Sequence, residues 1–392
     1  MKAAIVAEFY PRRGDPVMGI WAHRQALAAQ AAGAEVRVVV LHRLVPPLAA
    51  WRAGPRAALA AAASLARQPW RDTLDGIRTI YVPYVSPPRS RGYWTWGAWA
   101  APELALALRR VRHDFRFDLV HAHNAVPAGD AVRRAGLATP LVVSVHGGDV
   151  LYTSQRGSGG AAAVRRGLGA ARLSLANSEG IAQLARSQGA HETRVVHLGT
   201  DVPPRASGRA GPATLVTVGH LVARKRHADV LRALAVLSER HPSLRYLIVG
   251  DGPERENLAT LARRLGVADR VELAGQLEPA QALERARAAT LFVMPSTEEA
   301  FGVAYIEAMA GGLPAIGCRG EPGPEEIAAA GDGFLLVPPG DIERLVQRID
   351  ELLSDPHRLR EAGMRARATV QAHFTWEGCG AQTIAAYEHV LR

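Results

Sequence analysis

The sequence predicts an α/β fold of two Rossmann-like, doubly wound domains facing each other across a cleft. Three observations lead there. The chain has 392 residues, too many for one ordinary hydrophobic core. Short, continuously apolar runs alternate with longer Ala-, Leu- and Arg-rich stretches, the pattern of buried parallel strands joined by helices. The alternation breaks at PPRASGRAGP, residues 203–212, and then restarts, as expected of a linker between two domains.

The elements follow in order. In the first half, strands are predicted at Ala3–Ala7, Val36–Leu41, Ile77–Val82, Leu119–Ala122, Leu141–Val145, Leu173–Ala176 and Val195–His197. Helical character is clearest at Gly19–Ala32, Gly129–Ala135 and Ser178–Ser187. After the linker, strands are predicted at Leu215–Val218, Leu244–Val249, Val271–Ala274, Leu291–Met294 and Pro314–Gly317. Helices are expected at His227–His241, Glu254–Leu265, Pro279–Ala288, Val303–Ala310 and Asp341–Leu353. An amphipathic stretch, Trp376–Leu391, lies beyond the second alternation. The predicted domains are therefore residues 1–203 and 204–374, with a terminal helix in 375–392. In open α/β sheets ligands bind beyond the carboxyl ends of the strands, and each chemistry-bearing motif here follows a strand.

Composition narrows the classes. Apolar residues make up 48% and charged residues 21%, a soluble globular balance. The longest apolar runs, such as Ala289–Met294, are far too short to span a membrane. The opening MKAAIVAEFYPRR reads as a first buried strand rather than a signal peptide. Two cysteines, Cys318 and Cys379, form neither a disulfide framework nor a zinc spacing, so reduced thiols and a cytoplasmic location are expected. Residues 1–200 hold 25 Lys and Arg against 12 Asp and Glu, while residues 201–392 hold 22 against 25. The basic half points to an anionic partner, or else to a general preference for Arg on solvated faces. Lysine occurs only at Lys2 and Lys225. Where Arg is the default cation, an internal Lys marks a place for a compact point charge.

Three motifs carry chemistry. The first is EEAFGVAYIEAMAGGLP, Glu298–Pro314. A loop leads through Gly302 into a helix that Gly311-Gly312 terminate. The free N–H groups of Gly302 and Val303, at the positive end of the helix dipole, suit a phosphate. Glu299 and Glu307 flank that position and suit neutral hydroxyls, one set on a sugar and one on a ribose; the bland reading is a capped surface helix with incidental acids. The second is VGHLVARKRHADVLRAL, Val218–Leu234, where Arg224 and Lys225 precede a helix and can reach a diphosphate, unless they only solvate a loop. The third is VVSVHGGDV, Val142–Val150, in which Gly147-Gly148 turn the chain tightly after His146.

Together these resemble the retaining glycosyltransferases of family 4, with the GT-B fold. The two-glutamate element appears as Glu299-AFGVAYI-Glu307, and the family's GRL…KG loop as Gly219-His220-Leu221…Lys225-Arg226. Its HGxD turn appears as His146-Gly147-Gly148-Asp149, its DxxHxH strand as Asp118-Leu-Val-His121-Ala-His123, and its N-terminal glycine loop as Met18-Gly19-Ile20. The resemblance implies that Glu299 holds donor-sugar hydroxyls and Glu307 the nucleotide ribose. Lys225, Gly19 and the N–H groups of Gly302 and Val303, with Phe301 beside them, would hold the diphosphate. His146 would sit beside the sugar and Leu277 near the base. Glu299, His146 and Lys225 are thus the expected catalytic set, and His121, His123 and Asp149 the expected acceptor-side residues. The terminal helix would cross back to the first domain. Two departures stand out: His220 stands where the family has Arg, which leaves that phosphate contact weakened, pH-dependent or replaced by Arg224, and the family's GGxPE appears lengthened as Gly320–Glu325.

The expected reaction moves a hexose from a UDP- or GDP-linked donor to a hydroxyl acceptor, lipid-linked or part of an envelope glycan. No cofactor is implied. The chain has no Asp-x-Asp pair, so no divalent-metal clamp is expected; His121-x-His123, facing one way from a strand, is the alternative metal pair. A glycosidase also uses two carboxylates but needs no phosphate site. The remaining rivals are a GT-B epimerase or phosphorylase, and a non-catalytic nucleotide-sugar binder. The segment Pro87–Phe115 gathers Arg89, Arg91, Arg109, Arg110 and Arg112 with Tyr93, Trp94, Trp96 and Trp99. It reads either as a peripheral contact with an anionic membrane or as aromatics packed on the first sheet. No nucleic-acid motif accompanies the charge.

Overall fold

A computed structural model describes residues 1–206 and 211–392, with the side chain of Arg91 outside the described set. Part of the predicted linker, and Arg91 of the basic aromatic segment, therefore lie outside the described residues. The chain divides into two compact units, Met1–Leu198 with Trp376–Arg392, and Gly199–Thr375.

The first unit is built on eight strands: β1 (Lys2–Ala7), β2 (Glu35–Arg43), β3 (Arg71–Leu74), β4 (Ile77–Tyr84), β5 (Leu119–His123), β6 (Leu141–Val145), β7 (Leu173–Ala176) and β8 (Thr193–Val195). They lie in the order β3-β4-β2-β1-β5-β6-β7-β8. Every pairing is parallel except β3 with β4. β5, β6 and β7 are buried along their whole length, which is why they read as unbroken apolar runs. β3 escaped the sequence reading because it is short, polar and at an edge. Its signal was the Asp75-Gly76 pair, whose φ values of 47° and 83° are those of a tight hairpin turn. The last strand lies two residues before the predicted Val195–His197, because a half-exposed edge strand needs no continuous apolar run.

The second unit carries six parallel strands: β9 (Thr214–Val218), β10 (Arg245–Val249), β11 (Val271–Gly275), β12 (Leu291–Val293), β13 (Ala315–Cys318) and β14 (Phe334–Val337). Their order is β11-β10-β9-β12-β13-β14. The core here joins Leu215, Tyr246, Ile248, Val293 and Ile316 to helix residues such as Val230, Leu234, Leu345 and Ile349.

The terminal helix Trp376–Leu391 packs in the first unit. Tyr387, Val390 and Cys379 join Ile5, Val38 and Val142 in its core. The helix approaches the first helix, Ile20–Ala31, closely enough that a Cβ on Gly380 would stand 2.3 Å from the Ala28 carbonyl oxygen. A side chain there would push the two helices apart.

Candidate functional site

In each sheet the strand order reverses once. The reversal lies between β1 and β5 in the first unit and between β9 and β12 in the second. Crevices at such reversals are where open parallel sheets bind ligands.

In the second unit, the loop after β9 carries Lys225 and the loop after β12 carries Glu299. Lys225 Nζ donates to Glu299 Oε2 at 2.5 Å, with the two side chains 12% and 11% exposed. The loops are tied by backbone as well, since Thr297 N donates to the Arg224 carbonyl at 2.9 Å. Ser296 Oγ donates to the same carboxylate oxygen at 2.9 Å and stands 3.1 Å from the Tyr305 hydroxyl. Burial alone would raise the pKa of Glu299. The Lys225 charge and hydrogen bond, with Arg224 and Ser296, outweigh it and hold the carboxyl below its ordinary value.

The helix Val303–Ala310 starts immediately beyond, with Gly302 at φ 90°. A Cβ on Gly302 would meet the Tyr305 ring at 2.3 Å, so glycine is required there. Phe301 is buried against Phe374 at 5.7 Å between centroids; its ring belongs to the core and only its backbone faces the helix start. Glu307 lies half-buried on the helix, and its carbonyl accepts from Arg287 Nε at 3.2 Å. Leu277 is half-buried after β11, and His220 is exposed.

The sequence reading left the role of Gly320–Glu325 open, and here it gains one. Glu321 Oε2 accepts from Glu299 N at 2.8 Å, and Gly323 N donates to the Glu299 carbonyl at 3.1 Å. A Cβ on Gly323 would lie 2.1 Å from Phe301 Cα. The lengthened stretch, which runs into the helix Pro322–Ala330, therefore packs under the Glu299 backbone and fixes it. Glu321, Ser296 and Tyr305 were missed because nothing local marks them, although Glu321 and Tyr305 lay inside quoted motifs.

In the first unit, Gly19 has φ 65° and sits so close to the Phe9 backbone that a Cβ would stand 2.1 Å away. His121 and His123 project from the same face of β5, as residues two apart must, with ring centroids 4.7 Å apart. His121 is fully buried; Nδ1 pairs with the Tyr387 hydroxyl at 2.7 Å and Nε2 with Ser144 Oγ at 2.8 Å. Both its nitrogens are therefore committed inside the fold, which leaves neither for an acceptor or a metal. Among the described residues no three His, Cys, Asp or Glu side chains are grouped to hold a metal ion. His123 Nδ1 lies 2.9 Å from His146 Nε2. Burial lowers the pKa of all three, His121 to about 3 and His146 to about 4, so they are neutral at pH 7. Asp149 is buried and its two oxygens accept from Ala125 N at 2.8 Å and Val126 N at 3.2 Å. It holds the turn after β5. Burial pushes its pKa up to about 7 against those backbone bonds.

Two of the four Trp and Tyr rings in the basic aromatic segment are packed inward. Tyr93 and Trp96 are buried; Tyr93 donates to Glu8 Oε2 at 2.7 Å and Trp96 Nε1 to the Pro87 carbonyl at 2.9 Å. Arg43 stacks on Trp96 at 4.5 Å and Arg89 on Tyr93 at 4.5 Å. Trp94 is half-buried, and Trp99 alone of the four is largely exposed, at 52%. Arg109, Arg110 and Arg112 are exposed.

The profile of the group 1 glycosyl transferases matches residues 204–369, and that of glycosyltransferase family 4 matches residues 18–202. A D-inositol 3-phosphate glycosyltransferase of Segniliparus rotundus is 35% identical over 179 residues, 45% of this chain and 39% of that one. An exopolysaccharide phosphotransferase of Streptomyces coelicolor is 39% identical over 155 residues, which are 39% of this chain and 16% of its own length. The chain thus spans less than half the length of these two relatives. An MMP alpha-(1->4)-mannosyltransferase of Mycolicibacterium hassiacum is 28% identical, covering 76% of this chain and 77% of that one. Among solved structures, the sucrose-phosphate synthase of Thermosynechococcus elongatus has a TM-score of 0.77 at 22% identity, over 100% of this chain and 99% of that one. HepE of Anabaena, solved in complex with UDP and glucose, has a TM-score of 0.72 at 18% identity, covering 99% and 100%.

Proposed function

This chain belongs to the group 1 glycosyltransferases of family 4, with the GT-B fold, and on that premise we propose that it moves a hexose from a UDP- or GDP-linked donor to a hydroxyl acceptor with retention of configuration. The observation that carries the reading is the Lys225–Glu299 pair at the strand-order reversal, directly ahead of the N-terminus of Val303–Ala310. A cation, two free N–H groups and a dipole suit a leaving diphosphate. A carboxylate held ionised beside them suits sugar hydroxyls.

In this reading Glu299 binds the donor sugar and Glu307 the ribose. Lys225, with the N–H groups of Gly302 and Val303, binds the diphosphate, and Arg224 takes the place of the missing Arg at His220. Leu277 borders the base. The bond from the anomeric carbon to the diphosphate oxygen breaks, the acceptor oxygen bonds on the same face, and the acceptor proton passes to the leaving phosphate. His146, neutral at pH 7, orients the sugar rather than carrying charge. The cations at 224–225 take the place of a metal. HepE's structures with UDP and UDP-glucose support such a donor.

The test is a panel of sugar nucleotides with and without EDTA, followed by mass spectrometry of released nucleotide and NMR of the product's anomeric centre. Transfer from one UDP- or GDP-hexose, undiminished by EDTA and with the anomeric configuration kept, is the expected result. Isomerised donor indicates an epimerase, and sugar phosphate formed from a glycan and phosphate a phosphorylase. Tight binding without turnover indicates a non-catalytic binder.

The anionic partner is a membrane surface in this proposal, at the cytoplasmic face, where a lipid-linked or envelope-glycan acceptor would be presented. No helix of the described residues is long and apolar enough to cross a membrane. With Tyr93 and Trp96 packed away, the face offered is the helices Leu48–Arg52 and Pro55–Ala66. Leu48, Trp51, Leu59 and Trp70 are 49% to 70% exposed, and Arg52, Arg56, Arg67 and Arg71 are exposed among them. No acid occurs between Glu35 and Asp72. Exposed Trp and Leu ringed by arginine suit an anionic lipid interface. Sedimentation with anionic vesicles at low salt should be strong, weaken with salt, and fall further in Trp51→Ala/Trp70→Ala than in Trp94→Ala. A wild-type protein that stays in the supernatant with anionic vesicles at low salt rules the membrane out.

A further inference from the structure

His123 and His146 are joined more tightly than two neighbouring rings need be. Their planes differ by 3° and their centroids lie 5.2 Å apart. With Nδ1 and Nε2 only 2.9 Å apart, that geometry places the rings end to end in one plane, in line with a hydrogen bond, rather than face to face. The arrangement follows from register. β5 and β6 pair His123 with Ser144, so His146, two residues on, extends beyond the end of β6 on the same side.

One hydrogen bond between two neutral imidazoles contains one proton, so the tautomer of each ring dictates that of the other. If His146 Nε2–H donates, His123 carries its own proton on Nε2 and His146 Nδ1 is a bare acceptor. If His123 Nδ1–H donates, His146 carries its proton on Nδ1. The remaining nitrogens, His123 Nε2 and His146 Nδ1, are both buried and without a partner. Either way one N–H is left unmet, and the two arrangements differ in where it lies. On His123, 2% exposed and stacked on His121 at 4.7 Å, nothing can reach it. His146 Nδ1 is buried too, but its ring is the outer, half-buried one beside Trp21, so a small shift of these two rings would bring a ligand oxygen to it. The groups around the pair, His121, Ser144 and Tyr387, already satisfy one another and offer the N–H no acceptor.

We propose that His123 is a positioning residue that locks His146 in its Nδ1–H tautomer, so that His146 meets its ligand as a hydrogen-bond donor to an oxygen acceptor. The identity of that oxygen, a hydroxyl or ring oxygen of a sugar, rests on the transferase reading above. The lock itself does not.

The experiment is long-range nitrogen–proton NMR on protein labelled with nitrogen-15 histidine, which reads which ring nitrogen carries the proton, combined with kinetics. His123→Phe keeps the ring volume but removes the donor; His123→Asn keeps a donating N–H. Wild type and His123→Asn should show His146 protonated on Nδ1, and His123→Phe should move it toward Nε2–H. In parallel, His123→Phe should lower kcat by about tenfold, the size typical of removing a histidine's orienting partner, with Kd for the free nucleoside diphosphate unchanged and with kcat recovering in His123→Asn. A wild-type His146 protonated on Nε2, or the same tautomer in wild type and His123→Phe, overturns the proposal. A wild type that transfers no sugar overturns the transferase reading while leaving the tautomer result to decide this one.

Discussion

Glu299→Ala is expected to lower kcat/KM for sugar transfer by about 10³-fold, roughly 4 kcal/mol of transition-state stabilisation. Glu299 is 8% exposed and firmly held, by Lys225 and Ser296 at Oε2 and through its backbone by Glu321 and Gly323. A group fixed this firmly loses little freedom on meeting a ligand, so its removal costs the reaction directly. Nucleoside diphosphate binding, measured by calorimetry, should stay within a few-fold of wild type, because Lys225 and the helix N-terminus remain. Glu307→Ala should show the opposite balance, with weaker nucleotide binding and a largely preserved kcat. Transfer at the parental rate in Glu299→Ala would end the assignment of that residue to the sugar.

Lys225→Ala is expected to cost about 10²-fold in kcat, near 3 kcal/mol for one lost preorganised contact to a leaving group. It should also act on stability, with a defined pH dependence. In wild type, Glu299 has its folded pKa held below the unfolded value, with burial opposed and outweighed by Lys225, Arg224 and Ser296. That carboxylate therefore stabilises the fold above the unfolded pKa of about 4.3 and loses the contribution as pH falls through the folded value. Without Lys225, burial is opposed only by Arg224 and Ser296, the folded pKa rises, and the buried charge weighs against folding at neutral pH. The gap in Tm between wild type and Lys225→Ala should be widest near pH 7 and shrink toward pH 4. Adding Glu299→Gln to Lys225→Ala should close the gap in Tm without restoring transfer. Lys225→Arg should rescue only in part, since a planar fork is bulkier than an ammonium. A single Lys225→Ala variant with normal kcat/KM would show that Arg224 does this work or that none is needed.

Much of this architecture was legible in residue order. β6 and β7 fall where unbroken apolar runs placed them, and the helix Val303–Ala310 has the predicted bounds, because a strand buried on both faces and a helix stopped by paired glycines leave local signatures. Gly302 was readable from its place ahead of a helix and Gly19 from the family's glycine loop; each occupies a left-handed backbone position pressed against other atoms, and only glycine tolerates that. The candidate residues at strand ends followed from the same logic. β3 and β14 were not read, both being short, partly exposed edge strands, and β3 polar as well.

What sequence could not supply were the partners. Lys225 meets Glu299 across 74 residues, and His121 meets Tyr387 across 266. Neither pairing has a local mark, because each depends on which strands lie side by side and in what register, and a slip of one residue would turn every side chain to the other face. Tertiary structure also decided that Tyr93 and Trp96 face the interior while Trp51 and Trp70 face solvent. Aromatic content and arginine count are the same either way; only the rotation of each helix against the sheet determines which rings lose contact with water. Sequence by itself determined the two alternations, the glycine positions and the residue types available at the strand ends. Packing decided which of those residues touch, because contact depends on register and rotation that local order does not encode.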